Sequence, residues 1–215
     1  MAKPASNGWI DISVPLYTGM VHWPTDPEFE SGLAKSMAEG AKCNLTRFST
    51  SAHIGTHMDA PRHFIRDGIT MEKMPLDAVI GPCRVVEIKH KVAITPEELQ
   101  PLKLKAGERL LFKTRNSRRS WKTAEFDDNF IYISKEAAQY IVDSSVMTVG
   151  VDYLSVGGFY KDGVETHNVL LGAEVWIIEG INLTKIQPGK YDLVCLPIKI
   201  LGADGAPARA VLRKL

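Results

Sequence analysis

Eight short runs of strand-forming residues, parted by Gly- and Pro-bearing turns, constrain the fold of this 215-residue chain more than any other feature. They lie at residues 9–14, 44–52, 83–89, 109–114, 146–151, 175–179, 191–198 and 208–213, and most are dominated by Val, Ile and Leu. None approaches the roughly 18–20 apolar residues of a membrane span. Three segments read as helical. Residues 134–143 are the clearest, with Ser134 as cap and Ala137, Ala138, Ile141 and Val142 on one side. Thr95-Pro96-Glu97-Glu98 is a helix start, with Thr95 as N-cap and Glu98 placed for a capping box. Residues 166–172 make a third, short helix. Residues 15–41 hold so many turn-formers, around His22-Trp23-Pro24-Thr25-Asp26-Pro27, that an irregular binding loop is expected. The pattern predicts a mixed, β-rich α/β fold in one domain over residues 1–215, with no repeat, low-complexity segment or linker.

Charge and cysteine narrow the function. With 26 Lys and Arg against 25 Asp and Glu, bulk charge recruits neither nucleic acid nor an anionic membrane. A small-molecule substrate is expected instead. The first eight residues lack the apolar core of a signal peptide, which predicts a cytoplasmic protein. Cys43, Cys83 and Cys195 are odd in number and far apart, so they are expected to be buried free thiols rather than a disulfide framework or thiolate zinc site. No G-x-S-x-G elbow supplies a nucleophile. Attention moves to histidine.

Three of the six histidines and a carboxylate fall within the eleven residues from His53 to His63. An H-E-x-x-H helix is ruled out, because Gly55 and Pro61 interrupt it and the glutamate is missing. His53, His57, Asp59 and His63 are separated by four, two and four residues, so in extended backbone all four project to one face. Turns at Gly55 and Pro61 can curl that face around an ion. Imidazole nitrogens with a carboxylate suit Zn²⁺, Mn²⁺ or Fe²⁺ better than Ca²⁺ or Mg²⁺. A purely structural polar network is the alternative at this point.

The segment His53-x-Gly55-Thr56-His57-x-Asp59-Ala60-Pro61-x-His63-Phe64 resembles the H-x-G-T-H-x-D-x-P-x-H signature of the cyclase-like metal-dependent hydrolases, which include bacterial kynurenine formamidases and isatin hydrolases. Trp23-Pro24, Gly150-x-Asp152-Tyr153, the stretch from His167 to Glu179 and Pro207-Ala208-Arg209-Ala210 extend the similarity over nearly the whole chain. The resemblance implies a swivelling β/β/α fold and a homodimer or homotetramer. It implies that His53, His57 and Asp59 are metal ligands, with Asp59 bridging two ions where two are present. His167 and Glu179, twelve residues apart, match the ligands of the second ion. The cofactor implied is Zn²⁺ or Mn²⁺, one or two ions per chain. His63 matches the catalytic acid–base, and Trp23 a substrate-binding aromatic. Formamidases typically carry W-P-G-D at that loop, and Thr25 replaces the glycine here.

The expected activity is hydrolysis of C–N bonds in linear or cyclic amides, by hydroxide formed at the metal, with His63 moving the proton. The alternative is a metal-dependent lactone or ester hydrolase, or a lyase or cyclase without net hydrolysis. Phe64 is read as core, and residues 115–119, rich in arginine, as a solvated loop rather than an anion-binding one. Asp152 is read as support for a ligand or as a turn residue.

Overall fold

A computed structural model describes residues 8–215; the first seven residues, on which part of the expectation about location rests, lie outside the described chain. In chain order the strands are β1 (Trp9–Asp11), β2 (Glu30–Lys35), β3 (Leu45–Ser49), β4 (His57–Asp59), β5 (Ile80–Glu87) and β6 (Ala93–Ile94). There follow β7 (Arg109–Lys113), β8 (Tyr132–Ile133), β9 (Thr148–Val151), β10 (Trp176–Glu179), β11 (Gly189–Pro197) and β12 (Gly205–Lys214). The α-helices are α1 (Pro96–Leu99), α2 (Asn116–Arg119), α3 (Lys135–Asp143) and α4 (Gly163–Gly172). No helix among the described residues is long and apolar enough to cross a membrane.

Seven strands close into a barrel in the order β12, β11, β5, β7, β9, β10, β4, with β4 pairing back to β12. β5, β7, β9 and β10 run parallel, while β4, β11 and β12 are antiparallel to their neighbours. Parallel neighbours need crossover segments, and α3 and α4 lie within those leading to β9 and β10. Residues on these strands alternate between two cores. Leu111 of β7 and Ile178 of β10 join Met58, Val85, Leu193 and Leu212 in one cluster. Leu110, Phe112 and Ile177 face Ala137, Ala138, Ile141, Leu170 and Leu171 of the helices in the other. Burial on both faces explains why these strands read as unbroken apolar runs rather than alternating ones. Each such side chain, fully buried, contributes about 1.5–3 kcal/mol.

The mixed, β-rich α/β class and the placement of most strands agree with the sequence reading. Ser134 caps α3 as expected, its hydroxyl accepting from the Ala137 amide at 3.1 Å. Four expectations are corrected. Residues 15–41 are not all loop: Glu30–Lys35 pairs with Leu45–Ser49 as an exposed two-stranded ribbon. The capping box at Thr95 does not form, because Glu98 instead accepts from the amides of Lys89 and His90 at 3.0 and 2.8 Å. Cys43 is exposed, whereas burial pushes the Cys83 and Cys195 thiols up to about 12. The run after Arg115 is not a solvated loop, since it forms α2 with Asn116 and Ser117 buried.

That last segment is held by Asp152. Its buried carboxylate accepts from the backbone and hydroxyl of both Thr114 and Ser117, at 2.7–3.1 Å. Burial raises its pKa despite these bonds. It anchors α2 to the end of β9.

Candidate metal centre

The site exists because β4 closes the barrel. Its register sets His57 opposite Glu179 of β10, and Asp59 between Ile177 of β10 and Gly205 of β12. His57 and Asp59, two apart on one strand, share a face, while Met58 between them enters the core. His53 and His63 join them through turns. Gly55 adopts φ +58°, and Pro61–His63 forms one turn of 3₁₀-helix. Thr56 ties the first turn down: its hydroxyl donates to the Gly180 carbonyl at 2.7 Å and accepts from the Val14 amide at 2.9 Å. His53 lies against Gly205, where a Cβ would stand 2.5 Å from its ring carbon Cε1.

Two histidines have their tautomers set by the backbone. His57 Nδ1 donates to the Gly55 carbonyl at 3.1 Å, and His167 Nδ1 donates to Gly163 of its own helix at 2.6 Å. Each therefore turns its Nε2 inward, the nitrogen left to meet a ligand or a carboxylate. His57 Nε2 lies 3.6 Å from Asp59 Oδ1 and 3.2 Å from Glu179 Oε2. His167 Nε2 lies 3.7 Å from Asp59 Oδ2 and 3.4 Å from Glu179 Oε1. Imidazole nitrogen and carboxylate oxygen stand at one common spacing here. It is the spacing of neighbouring ligands on one ion, roughly 3.3–3.6 Å for bonds of about 2.0–2.2 Å. His57 Nε2 and Asp59 Oδ2 are buried without a hydrogen-bond partner. Such orphans are costly unless a cation completes them. Among the described residues no lysine or arginine pairs with Asp59 or Glu179.

Two donor groups share Asp59: His53, His57 and Asp59, and Asp59, His167 and Glu179, with the donor atoms of each within 4.8 Å of one another. The nitrogen and carboxylate donors fit a divalent metal ion. Electrostatics points the same way. Burial disfavours charge on His53, yet the Asp59 charge and hydrogen bonds to Asp204 and Asp59 outweigh it and raise its pKa to about 10. Burial likewise opposes ionisation of Asp59, but the facing His53 holds it below the usual carboxylate range. Protons on imidazole thus offset a negative cluster that a metal ion would neutralise in their place.

His63 stands beside this cluster. Its ring stacks on His53 at 3.7 Å, and its Nδ1 is 3.3 Å from Asp204 Oδ2, which also meets His53 Nε2 at 3.0 Å. Both histidines line a cavity of about 330 Å³ with His167, Glu179, Trp23, Asp26, Phe64 and Phe159. Trp23 meets Phe126 and Phe159 edge-on at 5.4 Å each. Phe64, read as core, packs against the helix-side core but is half-buried, and it also lines the cavity and stacks on His167 at 4.3 Å.

Residues 10–157 match the Cyclase family pattern. The chain belongs to the Cyclase family. Its relatives include the kynurenine formamidase of Salinibacter ruber, 35% identical and covering 95% of this chain and 96% of that one. The kynurenine formamidase of Bacillus cereus is 31% identical over 96% of this chain and 98% of its own. A solved structure described as a potential metal-dependent hydrolase with cyclase activity superposes with a TM-score of 0.82 at 34% identity, covering 95% and 96% of the two chains. Isatin hydrolase A from Labrenzia aggregata shares the fold, with a TM-score of 0.83 at 20% identity over 96% and 93%. This member of the Cyclase family is, like them, a hydrolytic enzyme.

All seven residues singled out in the sequence, His53, His57, Asp59, His63, His167, Glu179 and Trp23, meet around this one cavity and its floor. Sequence reasoning misses Asp204, which joins His53 to His63. Its one signal is a place between Gly202 and Gly205, just before the familiar Pro207-Ala208-Arg209-Ala210.

Proposed function

We propose that this enzyme hydrolyses C–N bonds in small linear or cyclic amides, aryl formamides first, using one or two divalent ions, zinc or manganese. The observation that supports this best is the pair of inward Nε2 atoms facing a shared, buried Asp59 beneath an aromatic-walled cavity. Asp59 turns one oxygen toward His53 and His57 and the other toward His167, an arrangement suited to bridging two ions. When bound, a divalent ion supplies Lewis acidity, acidifying water and polarising a carbonyl. The side chains do the rest. His57 and His167, fixed by backbone carbonyls, keep the donor set preformed. With Asp204 Oδ2 3.3 Å from its Nδ1, His63 offers its Nε2 to take a proton from water and return it to the leaving nitrogen. Trp23, Phe64 and Phe159 receive a flat ring and shed water from it.

Reconstitution with Zn²⁺ or Mn²⁺ followed by assays on formanilides, N-formylkynurenine and isatin tests the reading. Turnover with ¹⁸O from labelled water in the product marks hydrolysis; turnover without it would establish lyase or cyclase chemistry instead. His63→Ala is expected to lower kcat about 100-fold or more with metal content unchanged. Loss of metal in that variant would make His63 a ligand and reverse the division of roles.

A homodimer or homotetramer belongs to this proposal. The β2–β3 ribbon exposes Leu33, Leu45 and Phe48, and a lone two-stranded ribbon has marginal stability. Light scattering after size exclusion is expected to read a multiple of the 23.8 kDa chain mass; a single-chain mass at micromolar concentration rejects it.

A further inference from the structure

We propose that Asp26 makes the cavity selective for amides bearing a positively charged amine. The inference rests on the amidase reading above and adds the charge of the substrate to it. Among the described residues no lysine or arginine lines the cavity, and its carboxylates are Glu179 and Asp26. Glu179 faces His57 and His167 and belongs to the metal centre. Asp26 is different: half-buried, its carboxylate takes part in no ion pair and no side-chain hydrogen bond among the described residues. Its backbone is committed, because the Asp26 amide donates to the Trp23 carbonyl at 3.0 Å. That turn sets carboxylate and indole on the same lip of the cavity, with Phe159 5.4 Å from the indole.

A carboxylate with no partner among the described residues, set beside aromatic rings, suits a cationic ligand group. The carboxylate supplies a counter-charge, and the ring faces attract an ammonium through their quadrupoles. A substrate carboxylate at the same lip would meet the like charge of Asp26. Trp23 and Asp26 therefore divide the work, one receiving the apolar body and the other the charged arm.

The test uses the metal-reconstituted full chain and three para-substituted formanilides carrying aminomethyl, methyl or carboxymethyl groups. The expected order of kcat/KM is cation above neutral above anion, with roughly tenfold between the first two. In Asp26→Asn, which keeps the size of the side chain, that ratio should collapse toward one. Equal rates for the cationic and neutral substrates in the wild type, or an unchanged ratio in Asp26→Asn, overturns the assignment. Should none of the three turn over, amide hydrolysis fails on its own account, and charge selection is read from binding instead. Benzyltrimethylammonium, which keeps its charge and cannot ligate a metal, is then expected to bind more tightly than benzyl alcohol by calorimetry. That advantage should vanish in Asp26→Asn; its absence in the wild type, or its survival in the variant, would refute the role.

Discussion

Asp59→Ala is expected to bring the metal content of the purified protein from stoichiometric to background, and catalysis with it. Both donor groups contain this carboxylate, so its loss breaks both at once. The remaining donors compensate poorly. His53 turns its second nitrogen to Asp204 at 3.0 Å, and the side chains of His57, His167 and Glu179 are all buried in place. Elemental analysis by mass spectrometry, with circular dichroism to confirm the fold, reads the outcome. Full metal occupancy in the variant would remove Asp59 from the ligand set and with it the bridged arrangement. Asp59→Asn sharpens the result, because it keeps the volume and removes the charge. Divalent ions favour ionised carboxylates, so a large loss is expected there too.

The second large effect is structural and lies at a residue with no chemistry of its own. Gly180 ends the strand that carries Glu179, at φ +72°. A Cβ there would stand 2.5 Å from the Gly55 carbonyl carbon and would overlap its oxygen. Both obstacles are backbone, and neither can rotate away. The Gly180 amide and carbonyl are also committed, to Tyr153 at 2.7 Å and to the Thr56 hydroxyl at 2.7 Å. Gly180→Ala must therefore push the Glu179 strand end away from the His53–His57 turn. The expected cost is about 3–5 kcal/mol, a fall in Tm of roughly 10 °C, with weakened metal binding. Gly40→Ala separates clash from conformation. Gly40 has φ +89° with nothing near its missing Cβ, so only the left-handed backbone is penalised, at about 1 kcal/mol. Similar melting of the two variants would show that the contact with Gly55 carries no weight.

Much of this is legible in the amino-acid sequence. The run from Trp176 to Ile178 is apolar because both faces of β10 are buried, and burial on both faces is what a sheet covered by helices imposes. The even spacing of His57 and Asp59 survives because β4 is a true strand. Residues 30–35 were not legible as a strand. Every one of them is exposed, so neither periodicity nor apolar content marks it, and the pairing with Leu45–Ser49 comes from backbone bonds alone. The capping box failed for a related reason: Glu98 had a stronger use across the loop at Lys89 and His90 than within its own turn.

The amino-acid sequence by itself determined the strand-rich class, the local donor cluster from His53 to His63 and, through its family signature, the distant pair His167 and Glu179. Those features are carried by residue type and short-range spacing, which any extended or helical backbone must respect. Only the tertiary structure decided how the donors meet. β4 had to close between β10 and β12 to set His57 beside Glu179, and backbone carbonyls had to fix which nitrogen of His57 and His167 points inward. Asp204 and Asp26 gained their places in the same way. A carboxylate acquires a role from the groups that surround it, and those groups come from segments far away in the chain.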